Sequence, residues 1–189
     1  RLNQYEGLAI EGKLRDKGYE IVPFGEKADL GVINTCTVTN EADAKSRNTI
    51  RRFTRNNPTS ITVVVGCYSQ TSANDVAMVD GVDYVIGNHD KINFLDYVAE
   101  EKPSHPVVVR ERIDRSDFSI GYVGDVHFEQ RANLKIQDGC DFMCSFCVIP
   151  FARGRARSRE WGDLFGEARQ MIARGVREIV LTGVNVGTY

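Results

Sequence analysis

Three closely spaced cysteines are the residues in this sequence whose types and spacing point most directly to chemistry. Cys140, Cys144 and Cys147 follow the order C-x3-C-x2-C. Thiolates are soft ligands that favour iron, and short spacings let one loop wrap around an iron–sulfur cube. Ferredoxin clusters and structural zinc sites usually have four protein ligands, so three thiolates leave one iron open. The pattern predicts a 4Fe-4S cluster with an open iron; the alternatives are a zinc site or three ordinary cysteines.

The cysteine count also bears on the cellular compartment. Five cysteines would be compatible with disulfides in a secreted protein, but no signal peptide is recognisable and three of the five lie within eight residues. This arrangement favours metal binding in a reducing compartment, so we expect a cytoplasmic location. The longest apolar runs, such as residues 61–66, are far shorter than the roughly 20 residues that span a bilayer, so we expect no membrane association.

Basic residues are concentrated in the C-terminal third of the sequence. The whole chain has a net charge of −2, but residues 131–189 contain nine Lys and Arg against six Asp and Glu. Guanidinium groups beside the cysteines are suited to holding a phosphate backbone or a carboxylate. The alternative is a solvated, salt-bridged basic segment. The four arginines concerned are Arg153, Arg155, Arg157 and Arg159.

The elements that must position these residues alternate along the first part of the chain. A helical stretch that ends at Gly18 is followed by predicted strands and helices in turn. The predicted strands are residues 19–22, 28–34, 61–65, 84–86 and 107–109, and the predicted helices are residues 39–56, 72–79 and 92–100. This alternation predicts a small α/β domain with a parallel sheet over residues 1–110. Residues 111–131, which are charged and lack clear periodicity, are predicted to be a connector.

A second unit is predicted over residues 132–189. It contains a strand at 134–136, the cysteine-bearing loop at 139–150, a helix at 163–174 and a strand at 178–182. One β-loop-α-β unit of this kind is the opening of a barrel-like α/β fold. We therefore expect an α/β fold, in which the small parallel-sheet domain is followed by the first part of a partial TIM-type barrel.

Residues 140–147, Cys-Asp-Phe-Met-Cys-Ser-Phe-Cys, resemble the signature of the radical S-adenosylmethionine (SAM) enzymes. The resemblance implies that the open iron chelates the amino and carboxylate groups of SAM, and that electron transfer then yields a 5′-deoxyadenosyl radical. Phe146 would lie near the adenine of SAM. Gly183, which follows the last predicted strand, would lie near its amino end, although a Gly there is also typical of a plain turn.

Two further cysteines each end a predicted strand. In a parallel sheet Cys36 and Cys67 would both emerge at the C-terminal edge, where ligand sites gather; taken alone they could also be buried and inert. Their flanking residues, 33–38 and 65–70, are similar to the N-terminal domain of the methylthiotransferases. In that family three N-terminal cysteines hold a second, auxiliary 4Fe-4S cluster. The resemblance implies that Cys36 and Cys67 are two of its ligands, and the third is expected immediately before Arg1.

The resemblance also suggests a substrate. Residues 134–140 and 149–159 are similar to the methylthiotransferase branch that acts on N6-threonylcarbamoyladenosine beside the tRNA anticodon. This implies that the radical removes hydrogen from C2 of the modified adenine, and that the auxiliary cluster presents sulfur methylated by a second SAM. The implied partners are the tRNA anticodon loop, held by the four arginines, and an electron donor such as flavodoxin or ferredoxin.

Other functions stay open at this point. One is methylthiolation of isopentenyladenosine in tRNA or of an aspartate in a ribosomal protein, and another is a noncatalytic iron–sulfur electron-transfer role. No His or carboxylate is an obvious general acid or base. The sequence starts without Met and stops just after a strand-like run. We expect it to be a fragment that is inactive alone, because half a barrel cannot enclose a radical.

Overall fold

The computed structural model describes residues 2–120 and 130–189, and the chain divides into two compact units. The first consists of Arg1–Ile21, Asp114–Ser145 and Gly154–Tyr189, and the second of Val22–Ile113 and Phe146–Arg153. Both units are therefore discontinuous along the sequence. The domain boundaries after residues 110 and 131 stay a prediction. No helix in the described ranges combines the length and the apolar character needed to cross a membrane.

A four-stranded parallel sheet forms the centre of the second unit. Its strands pair in the order β1-β2-β3-β4. The bounds are β1 (Leu30–Thr35), β2 (Ile61–Gly66), β3 (Tyr84–Ile86) and β4 (Val107–Val109). All residues of β2 after Ile61 are buried, as expected for a β-branched strand covered on both faces. The predicted α/β fold with a parallel sheet is confirmed.

The long helix α2 (Asn40–Asn56) packs on this sheet. It begins at Thr39, whose Oγ1 accepts a hydrogen bond from the N–H of Ala42 at 3.1 Å and so satisfies a free backbone donor of the first turn. Phe53 of α2 lies directly against Gly31 of β1, where a Cβ would come within 2.1 Å of the ring. Only a glycine admits this contact, so it fixes how closely the helix approaches the strand.

Two helices predicted in the second unit differ in the structure. β2 continues directly into α3 (Cys67–Thr71), and the chain breaks at Ser72 before α4 (Ala73–Ala77), in place of one helix over residues 72–79. The helix predicted at 92–100 is a 3-10 helix, Lys91–Asp96, because the dihedral angles of Asn93 are not helical.

The predicted strand at residues 19–22 is wrong, since these residues pair with no strand among the described residues.

The short helix α5 (Ile149–Arg153) follows the cysteine-bearing loop in the sequence. It belongs to the second unit and contacts α3.

The first unit contains the predicted β-loop-α-β arrangement. Its elements are α1 (Leu2–Asp16), β5 (Arg131–Lys135), β6 (Gln137–Asp138), β7 (Arg157–Ser158), α6 (Trp161–Ala173) and β8 (Glu178–Thr182). β5 and β8 pair in parallel, and β6 pairs with β7 antiparallel. The apolar core between these elements includes Leu134, Ile136, Leu164 and Met171. The start of a barrel-like α/β unit is confirmed, and the strand at Glu178–Thr182 has the predicted bounds.

Buried charges hold α1 in the first unit. Nζ of Lys135 lies 2.7 Å from Oε1 of Glu6 and 2.7 Å from Oδ2 of Asp138. The hydroxyl of Tyr5 donates a hydrogen bond to Oε2 of Glu167 at 2.8 Å and accepts one from Nη1 of Arg159 at 3.1 Å. Unpaired charges are costly in the interior, so these contacts specify where the helix packs.

Arg159 is the centre of that buried network. Its side chain is fully buried, its Nη1 contacts Glu167, and its Nε lies 2.7 Å from Oδ2 of Asp163. Burial disfavours the charge of Arg159, but the hydrogen bond to Asp163 and the carboxylate of Glu167 keep its pKa above the usual range. Burial also raises the pKa of Glu167, despite the nearby guanidinium.

Candidate iron–sulfur sites

The loop that carries the first three cysteines starts at a glycine with left-handed backbone geometry. Gly139 has φ +72°, and a Cβ at this position would lie 2.0 Å from the backbone oxygen of Arg155. The N–H of Cys140 donates to the backbone oxygen of Gly154 at 3.2 Å. Only glycine combines this conformation with so close an approach. The backbone of Gly139 therefore fixes the direction in which the loop leaves β6, and Cys140 is the next residue.

The thiols of this loop are free and accessible. Cys140 and Cys147 are half-buried and Cys144 is exposed, and none of them forms a disulfide. Met143 has φ +49°, a left-handed turn just before Cys144. Asp141 fixes the loop from outside, because its Oδ1 accepts from the N–H of Ala156 at 3.2 Å and lies 2.8 Å from Nε of Arg155. Free, accessible thiols on a loop that is held by a hydrogen bond and an ion pair are suited to binding a metal cluster.

An exposed aromatic side chain lies next to the last of these cysteines. Phe146 is 91% exposed, and Phe142 in the same loop is 72% exposed. An exposed aromatic ring can stack on a planar base. The role of Phe146 beside an adenine stays a prediction.

Gln137 connects the cysteine loop with the turn after β8. Its side chain is fully buried, and its Nε2 donates to the backbone oxygens of Asp138 at 2.9 Å and Gly139 at 2.8 Å. Its Oε1 accepts from the N–H groups of Val184 at 2.9 Å and Asn185 at 2.8 Å. One amide group therefore ties the start of the cysteine loop to the segment predicted to lie near SAM.

Gly183 lies in that same turn. A Cβ at this position would be 3.0 Å from Cβ and Oε1 of Gln137 and 3.0 Å from Cγ1 of Val186. The residue is half-buried and its φ is not positive. Glycine is therefore favoured here by close packing against Gln137 and not by backbone strain. Its placement near the amino end of SAM stays a prediction.

Cys36 and Cys67 emerge at the same edge of the parallel sheet, as predicted. Thr35 pairs with Gly66 at the last position of the β1–β2 ladder, and each cysteine follows directly. Neighbouring strands lie about 4.8 Å apart, so the two cysteine backbones start from adjacent positions. Cys36 is half-buried and Cys67 is buried. Their role as cluster ligands stays a prediction.

A second left-handed glycine precedes Cys67. Gly66 has φ +103°, and a Cβ there would lie 2.5 Å from the backbone oxygen of Thr35. The same arrangement of a left-handed glycine followed by a cysteine occurs at Gly139 and Cys140. In both places the chain must turn sharply after a strand for the thiol to leave the sheet edge.

An asparagine after β3 contacts Cys67. Nδ2 of Asn88 lies 3.4 Å from Sγ of Cys67, and the same Nδ2 donates to the backbone oxygen of Ala152 in α5. α5 follows Cys147 in the sequence, and it packs on α3, which begins with Cys67. Within the second unit, the segment that follows the last cysteine of the loop therefore contacts the helix that carries Cys67.

The four arginines predicted to hold the substrate differ in their environments. Arg155 is the most exposed, with 36% of its side chain accessible, and it pairs with Asp141. Arg157 is largely buried, with Nη2 3.7 Å from Oδ2 of Asp138 and its guanidinium 5.4 Å from the ring centre of Phe118. Arg153 is buried as well.

The structure gives Arg159 a different role from the one predicted. Its side chain has no accessible surface, and its guanidinium is bound to Asp163 and Glu167. A fully enclosed cation of this kind cannot contact an RNA phosphate without breaking a buried ion pair, which is costly. We therefore assign Arg159 to the packing of α1 and α6. Substrate contact by Arg153, Arg155 and Arg157 stays a prediction.

Gln137 and Asn88 were not identified from the sequence. Gln137 stands between Ile136 and the glycine before Cys140, and a polar residue inside a strand of a buried sheet is a signal for a buried hydrogen-bond centre. Asn88 follows β3 by two residues. The reasoning that placed Cys36 and Cys67 at the C-terminal sheet edge applies equally to the residues after β3, and would have included Asn88.

Comparisons with known families match two separate parts of the chain. Residues 1–87 match the Uncharacterized protein family UPF0004, and residues 134–189 match the Radical SAM superfamily. The first match contains Cys36 and Cys67, and the second contains Cys140, Cys144, Cys147 and Gly183.

The chain is also similar to curated proteins along its entire length. It is 41% identical to the threonylcarbamoyladenosine tRNA methylthiotransferase MtaB of Bacillus subtilis and 38% identical to that of Aquifex aeolicus. It is 32% identical to the tRNA-2-methylthio-N(6)-dimethylallyladenosine synthase of Sphingopyxis alaskensis. Each alignment covers 100% of this chain but only 42%, 47% and 43% of the relative, respectively. The chain thus spans less than half the length of these relatives.

A solved structure has the same fold. The radical S-adenosylmethionine methyltransferase TsrM from Kitasatospora setae, with tryptophan and a SAM analog bound, aligns over 97% of this chain and 45% of its own. The TM-score is 0.60 and the sequence identity is 18%. At this identity the likeness concerns the fold alone, and it confirms the α/β architecture.

Proposed function

Since this chain carries the domains of the radical SAM and UPF0004 families and resembles tRNA methylthiotransferases over its full length, we propose that its parent protein methylthiolates tRNA. The specific substrate in this proposal is C2 of N6-threonylcarbamoyladenosine next to the anticodon. The observation that carries the proposal is the presence of two separate cysteine sites. In each of them a glycine with positive φ, Gly66 or Gly139, lies at the end of a strand and directly precedes a cysteine. The substrate is supported by the higher identity to the MtaB proteins of Bacillus subtilis and Aquifex aeolicus than to the dimethylallyladenosine synthase of Sphingopyxis alaskensis.

In this proposal the cysteine loop holds the first cluster. Cys140, Cys144 and Cys147 supply three thiolates and leave the fourth iron to SAM. The bound cluster and SAM together supply a carbon radical able to remove hydrogen from an unreactive C–H bond. Phe146, which is open to solvent, stacks on the adenine of SAM. Gly183 leaves space at the amino end of SAM. The hydrogen bonds of Gln137 hold the turn that contains Gly183 beside the start of the cysteine loop.

The sheet edge holds part of the auxiliary cluster. Cys36 and Cys67 follow paired residues of β1 and β2, so both thiolates can reach one cluster. A three-thiolate site again leaves an iron free, here for the sulfur that is transferred. In this role Cys36 and Cys67 bind and orient the sulfur source.

The tRNA contact in this proposal is made through exposed basic residues beside the cysteine loop. Arg155 is the best placed of them, because it is the most accessible and lies next to Asp141 of the loop. Exchange of the Asp141 carboxylate for an RNA phosphate or for the threonylcarbamoyl carboxylate would keep its guanidinium paired. The other partner is a low-potential electron donor such as flavodoxin or ferredoxin, and the location is the cytoplasm.

A second candidate substrate is dimethylallyladenosine, also called isopentenyladenosine. It is supported by the 32% identity to the Sphingopyxis alaskensis synthase, which covers all of this chain. The site residues discussed above would serve either adenosine. The difference between them lies in the N6 substituent, which is charged in the threonylcarbamoyl case and apolar in the other. A guanidinium such as that of Arg155 favours the charged substituent.

The radical SAM assignment can be tested by spectroscopy on the anaerobically reconstituted full-length protein. We expect addition of SAM to change the electron paramagnetic resonance (EPR) spectrum of the reduced cluster, and reductant to cleave SAM. Replacement of Cys144 by Ala should abolish both effects, while replacement of Cys67 by Ala, which affects only the other site, should leave them. An unchanged spectrum and no SAM cleavage in the unaltered protein would refute the enzyme assignment.

The substrate can be tested by mass spectrometry of tRNA nucleosides from a strain that lacks the gene. We expect loss of the methylthio group from N6-threonylcarbamoyladenosine and its return when the full-length gene is restored. Loss from the isopentenyl-type adenosine, with the threonylcarbamoyl type intact, would favour the second candidate. A gene that encodes only residues 1–189 should not restore the modification.

A further inference from the structure

Asn88 makes four contacts that fix its position beside Cys67, three through its side-chain amide and one through its backbone N–H. Its Nδ2 lies 3.4 Å from Sγ of Cys67 and also donates to the backbone oxygen of Ala152. Its Oδ1 accepts from Nζ of Lys91 at 2.8 Å, and its backbone N–H donates to Oε1 of Gln70 at 2.8 Å. Backbone and side chain are therefore both held.

These partners leave only one orientation for the amide. The Lys91 ammonium can only donate, so the group facing it must be the carbonyl oxygen Oδ1. The backbone oxygen of Ala152 can only accept, so the group facing it must be the NH2. The second N–H of that NH2 is then directed at the Cys67 sulfur. The chemistry of the neighbours thus settles the assignment of nitrogen and oxygen, which electron density often leaves open.

The sheet register explains why Asn88 lies at this place. Val65 of β2 pairs with Ile86 of β3. Cys67 and Asn88 each follow their paired residue by two positions, so both emerge from neighbouring strands at the same edge. Lys91 begins the 3-10 helix that follows and is itself buried. Its ammonium is therefore held 2.8 Å from Oδ1 of Asn88, with little screening by water.

We infer that Asn88 is a positioning residue for Cys67, and that its N–H···S hydrogen bond raises the reduction potential of the cluster that Cys67 holds. This inference rests on the proposed function, which gives Cys67 a cluster to bind. One-electron reduction makes the cluster and its cysteine sulfurs more negative. A donor directed at the sulfur, supported by the Lys91 ammonium behind it, stabilises that reduced state more than the oxidised state.

The same amide has a second consequence. Nδ2 of Asn88 also donates to the backbone oxygen of Ala152. Asn88 therefore contacts both Cys67 and α5, the short helix that follows Cys147. Asn88 therefore holds two segments of the second unit together, one from each cysteine site. Loss of the amide should disturb the Cys67 site through its potential, and should also loosen α5 against α3.

The test uses the full-length protein with Cys140, Cys144 and Cys147 replaced by Ala, so that only the auxiliary cluster remains. The midpoint potential is measured by EPR during titration with dithionite, for Asn88 and for Asn88→Leu, which has a similar volume but no donor. We expect the potential of Asn88→Leu to shift to a more negative value with unchanged iron content. Asn74→Leu, a matched change at an exposed asparagine of α4, should leave it unchanged.

A second measurement does not depend on the variant. In protein with unaltered Asn88 and 15N-labelled asparagine, electron–nuclear double resonance should detect a coupled nitrogen and an exchangeable proton at the reduced cluster. If that coupling is absent, or if Asn88→Leu has the same potential as the parent, the inference is wrong. If the triple-alanine protein binds no cluster at all, the two-cluster part of the proposed function fails, and the inference fails with it.

Discussion

Thr35 lies beside Gly66 at the last pair of the β1–β2 ladder, and this pairing places Cys36 and Cys67 at neighbouring positions of one sheet edge. The turn after the pair depends on Gly66, whose φ of +103° brings its α-carbon against the backbone oxygen of Thr35. The two cysteines are therefore positioned by a backbone contact that no larger residue permits.

The first prediction follows from that contact. Gly66→Ala should displace Cys67, because the added Cβ would lie 2.5 Å from the backbone oxygen of Thr35 in a strained conformation. We expect the reconstituted full-length protein to lose the auxiliary cluster and keep the SAM-responsive one, as measured by iron content and EPR. Gly166→Ala, where a Cβ meets nothing within 4 Å, is the control. Full iron content in Gly66→Ala would contradict this prediction.

The second prediction concerns the Gln137 amide. Gln137→Leu removes the donors to Gly139 and the acceptor for Val184 and Asn185, and leaves those buried groups without partners. Since supporting residues of this type change metal-site affinity or activity about tenfold or more, we expect SAM to bind about tenfold more weakly. The measurement is SAM titration of the cluster EPR spectrum.

Gln170→Leu, at an exposed position of α6, provides the matched control for that experiment and should leave SAM affinity unchanged. Equal SAM affinity in Gln137→Leu and the parent, with the cluster present in both, would show that Gln137 does not position the SAM-binding turn.

The third prediction compares two glutamate–arginine pairs of opposite exposure. Glu167→Gln should lower the free energy of unfolding by about 3 kcal/mol, since it leaves the fully buried Arg159 with one carboxylate in place of two. Glu178→Gln breaks the pair with Arg131, in which both side chains are more than half exposed, and should cost less than about 1 kcal/mol. Chemical denaturation of the cluster-free full-length protein measures both; similar losses would contradict the burial argument.

The fourth prediction is a pH dependence at Asp163. Burial favours the neutral acid, but hydrogen bonds from Arg159 and from the backbone N–H of Ile120 hold the pKa of Asp163 below its usual value. Between the folded and unfolded pKa values, the unfolded state binds more protons, so stability rises with pH in that range. The contribution is complete above about pH 4 and is lost as the pH falls through the folded pKa.

The variant Asp163→Asn removes this titrating group. The difference in unfolding free energy between the parent and Asp163→Asn should therefore be largest near neutral pH and should shrink below about pH 4. Urea denaturation of the cluster-free protein at a series of pH values measures it. A difference that stays constant down to pH 3 would be the contrary result.

Much of the fold follows from local patterns in the sequence. The β-branched run of β2 and the alternation of strands and helices are short-range signals, and both the parallel sheet and the bounds of β8 were predicted from them. Residues 19–22 have a strand-like composition but no partner strand among the described residues, because pairing is decided by the rest of the fold and not by propensity.

The candidate site was predicted where its signal is local and not where it depends on long-range contacts. Cys140, Cys144 and Cys147 share one loop, so their spacing is visible in the sequence. The burial of Arg159 is not visible, because its partners Glu167 and Tyr5 are brought to it by packing of α6 and α1. An arginine run looks like a binding surface until it is known which side chains point inward.

The wide sequence separation of the buried pairs has a consequence for synthesis on the ribosome. Glu6 is made 129 residues before Lys135, and Tyr5 is made 162 residues before Glu167. At elongation rates of about 5–20 residues per second this delay is roughly ten seconds. Throughout that time α1 has emerged without its ionic partners, whereas β1 to β4 are complete much earlier. The nascent chain must therefore carry α1 undocked until Lys135 and Glu167 have been made.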